Sequence, residues 1–182
     1  MRSYDYGHRT GVLPLSWDEV ASIAARVTEA LQTERVDMVV GVARAGLVPA
    51  AMVAAGLRCE LCPVRVTRRV DDQVRHASPV WKSPVPGDVK GRRVAVVDEI
   101  ADTGATLRIV SAEVEARGAS HVVTACLVSH SWASPAPTVS GVVTDALVVF
   151  PWDRWVLIDG EWRLHPELED ALKLQGLDEK LP

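Results

Sequence analysis

Apolar residues recur with a helical period in the first part of the chain. Ser16 is followed three residues later by Glu19, the spacing of a capping box, and apolar residues then recur every three or four positions. This pattern predicts an amphipathic helix from about Trp17 to Thr33. Three further helices are predicted, with these approximate bounds: Leu47–Ala55 closed by Gly56, Ala105–Arg117 closed by Gly118, and Pro166–Gln175.

Short apolar runs rich in β-branched residues lie between the predicted helices. Near-continuous apolar strands that alternate with helices are typical of βαβ units, in which helices cover both faces of a parallel sheet. The sequence therefore predicts an α/β fold with a mostly parallel, doubly wound sheet. Its strands are expected at Val36–Val42, Leu61–Thr67 (with Pro63 at a sheet edge or in the first turn of the strand), Val94–Val97, His121–Val128 and Ala146–Phe150.

Two polar segments that contain proline interrupt this alternation. Residues 68–89 predict a long loop, which in a compact domain is typical of a lid or a binding segment. Residues 129–141 also predict a loop, and Asp159 and Gly160 between apolar residues predict a hairpin. Without an internal repeat or a linker, we expect a single domain over residues 1–182, with a core at about 16–153 and a C-terminal hairpin and helix at 154–182.

Composition narrows the classes of function. The chain has 182 residues, of which 48% are hydrophobic and 24% charged, as in an ordinary globular domain. A net charge of −4 disfavours nucleic acid as a partner. The longest uncharged apolar stretch, Ala45–Leu57, is too short to cross a membrane. The N-terminal segment lacks the apolar core of a secretory signal, so we expect a cytoplasmic location.

Cysteine supplies one alternative, because Cys59 and Cys62 have CxxC spacing. A zinc site needs four ligands, and the remaining cysteine, Cys126, is accompanied by no HxxxH pair. A redox CxxC usually opens a helix, whereas here Pro63 and a β-branched run follow. We therefore expect the cysteines to be structural core residues.

The segment Val94–Leu107 carries the clearest chemistry. It reads VAVVDEIADTGATL, a buried strand that leads through Asp98 and Glu99 into a turn of small residues at a helix start. The amides, hydroxyls and dipole at such a turn favour a phosphate, and carboxylates beside it suit a ligand that also offers hydroxyls and a divalent cation. The predicted phosphate loop consists of Asp102, Thr103, Gly104, Ala105 and Thr106.

This segment resembles the phosphoribosyl pyrophosphate motif of the type I phosphoribosyltransferases. That motif is an apolar strand, two acidic residues, two variable residues, and DTG or TTG followed by T, which here reads VVDEIADTGAT. The resemblance implies that the loop holds the 5-phosphate and that Asp98 and Glu99 hold the ribose hydroxyls and Mg²⁺. It also implies that Asp102 is the general acid or base at the purine N7. Asp98, Glu99 and Asp102 are thus the candidate catalytic residues.

A second segment, GVARAGLVPA at Gly41–Ala50, resembles the pyrophosphate loop of the purine branch of this family. The resemblance implies a strained or cis backbone and a pyrophosphate held by Arg44, although Ala45 stands where the family usually has glycine. The alternative for Arg44 is a solvated loop arginine. The predicted pyrophosphate-binding residues are Ala43, Arg44, Ala45 and Gly46.

Two weaker resemblances concern the metal and the lid. FPWD, at Phe150–Asp153, resembles the last-strand segment of xanthine phosphoribosyltransferases and small archaeal purine relatives. This implies that Asp153 joins Asp98 and Glu99 near the magnesium, with a turn cap as the alternative.

The family closes a flexible loop over the reaction centre, a role that the long loop at residues 68–89 would take. Its expected lid residues are Thr67, Arg68 and Arg69, with a solvated lid without catalytic contact as the alternative.

The base pocket departs from the family pattern. Purine enzymes of the family usually place a lysine after the strand that here ends at Val128, and an aromatic residue ahead of the PWD segment. This chain has no lysine there, which predicts weak discrimination among 6-oxopurines or a preference for a base without a 6-oxo group. The predicted pocket residues are Ser129, His130, Leu147 and Val148, with Trp132, Trp81 or Trp152 as stacking candidates. Trp155 and Trp162 are expected to pack the hairpin against the core.

The resemblance implies a pentosyltransferase with a flexible lid loop and a small hood. The enzyme would transfer 5-phosphoribosyl from phosphoribosyl pyrophosphate to a nitrogen of a planar base, with a purine expected, and release pyrophosphate. Mg²⁺ is the expected cofactor, a nucleobase the second substrate, and a homodimer or higher homo-oligomer the expected assembly. The alternative is a noncatalytic nucleotide-sensing or regulatory protein that retains the ribose-phosphate pocket. A Rossmann oxidoreductase is disfavoured because no GxGxxG follows a predicted strand.

Overall fold

The structure, a computed structural model, describes residues 9–67, 69–70, 73–76 and 79–176. The helices are α1 (Trp17–Thr33), α2 (Leu47–Leu57), α3 (Ala105–Ala116) and α4 (Pro166–Leu174). The strands are β1 (Val12–Pro14), β2 (Met38–Val42), β3 (Glu60–Thr67), β4 (Arg69–Val70), β5 (Gln73–Val74), β6 (Val80–Ser83), β7 (Arg93–Ala101), β8 (His121–Ser129), β9 (Val139–Val143), β10 (Leu147–Val149), β11 (Trp155–Ile158) and β12 (Glu161–Leu164). None of the described helices is long and apolar enough to cross a membrane.

Six strands form the main sheet, in the order β6-β3-β2-β7-β8-β9. Neighbouring strands from β3 to β9 run parallel, and β6 adds an antiparallel edge. On one face, Val40 and Val96 pack in a cluster with Val110 of α3. On the opposite face, Val39 and Ala95 pack in a cluster with apolar residues of α1 and α2: Val27, Leu31, Ala50, Val53 and Ala54. Because alternate residues of each strand are covered by different helices, the predicted doubly wound, mostly parallel sheet is confirmed.

The chain divides into two compact units, with boundaries after Val20 and after Thr144. The larger unit holds the six-stranded sheet. The smaller unit holds the parallel pair β1–β10, the hairpin β11–β12 and α4, and its core is formed by Leu147, Val149, Leu168, Ala171 and Leu172. The single domain over residues 1–182 stays a prediction.

The first helix has the predicted bounds, and the second is longer than predicted. Ser16 Oγ accepts from the Glu19 N–H at 3.2 Å, and the Glu19 carboxylate accepts from the Ser16 N–H at 2.7 Å, so the capping box is formed. α2 does not end at Gly56, as predicted, but continues to Leu57, and Arg58 takes the left-handed conformation. Glycine at position 56 instead allows α1 to approach, since a Cβ there would lie 2.8 Å from Thr28 Cγ2.

Part of the segment predicted as a long loop is strand. Among its described residues, β4 and β5 form a short hairpin, and β6 pairs with the end of β3. Strands of two to four residues are too short to produce a periodic pattern that sequence reasoning can detect. Pro63 pairs with Gly41 of β2 and precedes Arg65, where the pairing of β3 with β6 begins. The missing N–H of Pro63 therefore lies in the part of β3 that β6 does not cover.

The sixth strand of the main sheet is β9, which lies partly in the second segment predicted as loop. The Pro- and Ser-rich residues before it and Gly141 within it obscured the strand pattern. Gly141 is required because a Cβ there would collide with Ile23 of α1 and lie 2.8 Å from the Leu127 carbonyl oxygen. The strand expected at Ala146–Phe150 is β10, which pairs with β1 in a separate two-stranded sheet and does not extend the main one.

The C-terminal hairpin is confirmed, but the prediction for its tryptophans is wrong. Asp159 and Gly160 form the turn with φ of 51° and 84°, the positive values that a tight hairpin requires. Trp155 and Trp162 are 49% and 70% exposed. Leu164, at the base of the hairpin, packs against the core of the smaller unit, whereas the tryptophans lie on a two-stranded ribbon whose face is open to solvent.

Candidate functional site

The acidic pair lies inside β7, which continues four residues beyond its predicted end at Val97. Asp98 is 7% exposed, and its Oδ1 accepts the Glu99 N–H at 3.0 Å. Burial and then the neighbouring Glu99 charge raise the pKa of Asp98 well above its usual value. A buried carboxylate beside a second carboxylate is unfavourable on its own and favours a ligand that brings positive charge or hydroxyl donors.

The predicted pyrophosphate loop lies beside this acidic pair. β2 and β7 are adjacent and parallel, with Gly41 opposite Val97. The loops that follow these two strands therefore begin at the same edge of the sheet. A Cβ on Gly46 would lie 2.5 Å from Asp98 Oδ1, so the loop backbone passes directly over the Asp98 side chain. The peptide bond between Ala43 and Arg44 is cis, and the Arg44 side chain is exposed.

The predicted phosphate loop connects β7 to α3. Gly104 precedes the helix with a φ of 78°, a left-handed conformation that favours glycine. In the described chain no side chain caps this helix end, although the Ala105 N–H donates to Thr103 Oγ1 at 3.4 Å. The start of a helix without a side-chain cap suits an anion, and the phosphate role of this loop stays a prediction.

The chain after β8 packs against this phosphate loop. The Ala101 carbonyl accepts from the His130 N–H at 3.1 Å, and the Thr103 carbonyl accepts from the Ser134 N–H at 3.0 Å. A Cβ on Gly104 would lie 2.5 Å from the Pro135 carbonyl oxygen. The two predicted groups of site residues on this side, the phosphate loop and the start of the base pocket, are thus neighbours.

Side chains of this segment form contacts that the sequence did not predict. The Trp132 indole N–H donates to Asp102 Oδ1 at 3.3 Å. His130 stacks on the Trp132 ring with the centroids 4.6 Å apart and the planes at 17°. Ser129 and His130 are both buried, and the Ser129 hydroxyl donates to the His130 carbonyl at 3.2 Å. The family resemblance gave Asp102 an acid or base role and placed Ser129, His130 and the stacking candidate Trp132 in the base pocket. It carried no signal for the contact between Asp102 and Trp132.

The remaining predicted site residues lie elsewhere in the chain. Leu147 and Val148 belong to β10, and Asp153 is exposed in the turn after it, all in the smaller unit. Thr67 ends β3, Arg69 begins β4, and Arg68 is outside the described residues. The roles of these residues in the pocket, the metal site and the lid stay predictions.

The protein groups near a magnesium ion would be few. Within the described ranges, no three side chains of His, Cys, Asp or Glu converge as a metal site. Mg²⁺ in phosphate-transfer sites is usually held by one or two carboxylates, substrate oxygens and water. Asp98 and Glu99 fit this donor set, because their carboxyl oxygens are hard ligands and a bound cation would offset the cost of ionising the buried Asp98, whose pKa is raised by burial and by Glu99.

The cysteines take no part in this arrangement. Cys126 is buried, and burial raises its pKa to about 12, which suits an inert core thiol. Cys59 and Cys62 are half-buried, and burial raises their pKa values as well.

Comparison with known proteins identifies the family. Residues 12–156 match the family described as phosphoribosyl transferase domain. The xanthine-guanine phosphoribosyltransferase of Gluconobacter oxydans is 30% identical over 146 residues, which are 76% of this chain and 83% of that protein. The enzyme of the same name from Nitratidesulfovibrio vulgaris is 29% identical over 152 residues, covering 80% and 86%.

A solved structure gives the same result. The purine phosphoribosyltransferase from Pyrococcus horikoshii superposes with a TM-score of 0.72 at 33% identity, over 84% of this chain and all of that one. The chain therefore belongs to the phosphoribosyltransferase family, and it is an enzyme of the pentosyltransferase class. Its relatives lie in the type I purine and xanthine branch, as the motifs predict.

Proposed function

We propose that this enzyme transfers 5-phosphoribosyl from phosphoribosyl pyrophosphate to a ring nitrogen of a purine, a reaction suited to purine salvage. The observation that carries the proposal is the approach of Gly46 to Asp98, where a Cβ would lie 2.5 Å from the carboxylate. This contact puts the loop expected to bind pyrophosphate beside the acids expected to bind ribose. A substrate with pyrophosphate and phosphate on opposite sides of a ribose suits this arrangement.

The reaction exchanges one bond at the anomeric carbon for another. The bond from C1 to the pyrophosphate oxygen breaks, that oxygen keeps the electron pair, and a purine nitrogen forms the new bond to C1. The ring gains positive charge as the leaving group departs, and Asp98 and Glu99 provide negative charge on the ribose side. Asp102 would take the proton that the purine loses at N7, and Arg44 would stabilise the departing pyrophosphate.

Magnesium is the cofactor that the acidic pair fits. When bound, it would neutralise charge on the pyrophosphate and so assist its departure. Asp98 and Glu99 would hold it together with substrate oxygens, and Asp153 is the third proposed contact. The rest of the site would position the substrate, with its 5-phosphate at the start of α3 and its pyrophosphate at residues 43–46.

The acceptor is proposed from the names of the relatives and from this chain's own pocket. Two relatives are named for xanthine and guanine, which supports a 6-oxopurine. The chain has Ser129 and His130 where the family usually places a lysine, so we expect weak discrimination among xanthine, guanine and hypoxanthine.

A base panel tests the proposal. The full chain is incubated with phosphoribosyl pyrophosphate, Mg²⁺ and one of adenine, guanine, hypoxanthine, xanthine, uracil or orotate, and both pyrophosphate and the nucleotide are measured. We expect nucleotide from the 6-oxopurines at rates within about tenfold of one another, a spread of 1.36 kcal/mol. Nucleotide from a pyrimidine alone, or from no base at all, would contradict the proposal.

A further inference from the structure

Trp132 is held in place by the main chain on both sides of it. The His130 N–H bonds to the Ala101 carbonyl at 3.1 Å, and the Ser134 N–H bonds to the Thr103 carbonyl at 3.0 Å. These two hydrogen bonds bracket Trp132 in one segment and Asp102 in the other. The position of the indole relative to the candidate acid is therefore fixed by backbone contacts as well as by its own side chain.

The indole makes two side-chain contacts of different kinds. Its N–H donates to Asp102 Oδ1 at 3.3 Å, and its ring stacks on His130 with the centroids 4.6 Å apart. His130 is itself fixed, because it is 3% exposed and its Nδ1 lies 2.5 Å from the Thr144 carbonyl oxygen. Trp132 nevertheless remains 40% exposed.

The other two candidates for stacking have different surroundings. Trp81 is partly buried against the apolar cluster under α3. Trp152 lies in the smaller unit and stacks on Phe150 with the centroids 4.7 Å apart. Of these three tryptophans, Trp132 alone is exposed and also bonded to the candidate general acid.

We propose that Trp132 is both a positioning residue for the Asp102 carboxylate and the platform on which the planar base stacks. This inference rests on the proposed transferase function. A tryptophan ring binds any planar heterocycle through its face, and such stacking tolerates differences in exocyclic groups. One side chain would thus bring the base to the acid that exchanges its proton and would contribute little to discrimination among purines.

Two substitutions separate the two roles. Trp132→Phe keeps a ring that can stack on His130 and removes the N–H, so we expect kcat to fall about tenfold while the KM for the base changes less than about threefold. Trp132→Ala also removes the platform, so we expect the same loss in kcat and a rise of about tenfold or more in the KM for the base. Trp162→Phe, at an exposed hairpin position, is the matched control and should behave as wild type.

A double substitution tests whether Trp132 acts through Asp102. In an Asp102→Asn background, Trp132→Phe should cause no further loss in kcat, because the carboxylate that the N–H positions has already been replaced. Calorimetric titration with phosphoribosyl pyrophosphate checks the two single variants at Trp132, and we expect unchanged affinity for that substrate. A merely structural role would weaken this affinity as well, and that result would overturn the inference.

The remaining outcomes also decide the matter. If wild type is active and Trp132→Phe and Trp132→Ala both match it, the inference fails while the proposed function stands. An additive loss in the double variant would exclude action through Asp102. If wild type forms no nucleotide with any base, the proposed function fails, and the inference fails with it.

Discussion

The two ends of β7 differ in whether their charged side chains have partners of opposite charge. Before its first residue, Arg92 bonds through Nε to Asp37 Oδ1 at 2.9 Å and through its second guanidinium nitrogen to Glu60 Oε2 at 3.1 Å. Near its last residues, Asp98 and Glu99 have like charge, and Asp98 is buried. Opposite charges are paired at the amino end, whereas like charges accumulate at the carboxyl end.

The pKa shifts follow the same contrast. The hydrogen bond to Asp37 raises the pKa of Arg92 and so favours its charged form. Burial and the Glu99 charge raise the pKa of Asp98 and so disfavour its charged form. Ion pairing at the amino end of the strand therefore favours folding, whereas ionising the buried Asp98 at the carboxyl end lowers the stability of the fold. Such a loss of stability is typical of a functional site, and open α/β sheets bind ligands at this end.

The largest effect is expected at the carboxyl end. Replacing Asp98 and Glu99 by Asn and Gln keeps their shape and removes their charge. If the carboxylates act on a ring that gains positive charge, the rate should fall about a hundredfold, or about 2.7 kcal/mol, and further than the substrate affinity. Steady-state kinetics and calorimetry measure the two quantities. Asp37→Asn at the amino end is the matched control, and equal losses in the two variants would remove the contrast.

Arg44 sharpens the assignment of the loop beside the acids. Arg44→Ala should weaken pyrophosphate binding by about 1.5 to 3 kcal/mol, the cost of losing a charge-assisted hydrogen bond. Binding of a nucleoside 5-monophosphate should be unchanged, because that ligand has no pyrophosphate. Calorimetric titrations with both ligands measure this, and Arg26→Ala on α1 removes the same charge elsewhere. Equal losses for both ligands would indicate a structural role for Arg44.

The buried carboxylate predicts a pH dependence of stability. Because the pKa of Asp98 is raised in the folded state, the folded protein holds this proton more tightly than the unfolded chain does. Stability from this group is therefore complete below the unfolded pKa of about 3.9 and is lost as the pH rises through the folded value. Asp98→Asn should raise Tm at pH 7 and leave it unchanged near pH 3.5. Melting curves over this range would contradict the account if Tm fell at pH 7.

The smallest effect is expected from the ion pairs at the amino end. Arg92→Ala should lower Tm only slightly, because pairs between exposed side chains are screened and cost side-chain entropy. The difference from wild type should shrink in 1 M salt. Activity should not change, and a large loss of activity would show that this end of the sheet also contributes to the site.

Features that depend on neighbouring residues were predicted from the sequence, whereas features that depend on long-range contacts were not. The capping box joins Ser16 and Glu19, which are three residues apart. The motif that contains Asp98 is likewise a short continuous segment of the sequence. The strand β9 was missed because Gly141, which weakens the pattern, is required by the approach of α1 from a distant part of the chain. The contact between Trp132 and Asp102 depends on the pairing of β7 with β8 and on the turn after it. The exposure of Trp155 and Trp162 depends on what covers the hairpin, which no local pattern encodes.

The acidic carboxyl end of β7 is the proposed binding site for phosphoribosyl pyrophosphate together with a divalent cation. Calorimetric titration of the wild-type chain with this substrate, in Mg²⁺ and in chelator, tests that claim most directly. We predict clear binding in Mg²⁺ and at least about tenfold weaker binding in chelator, a difference of 1.36 kcal/mol. Equal affinity under the two conditions would contradict the account.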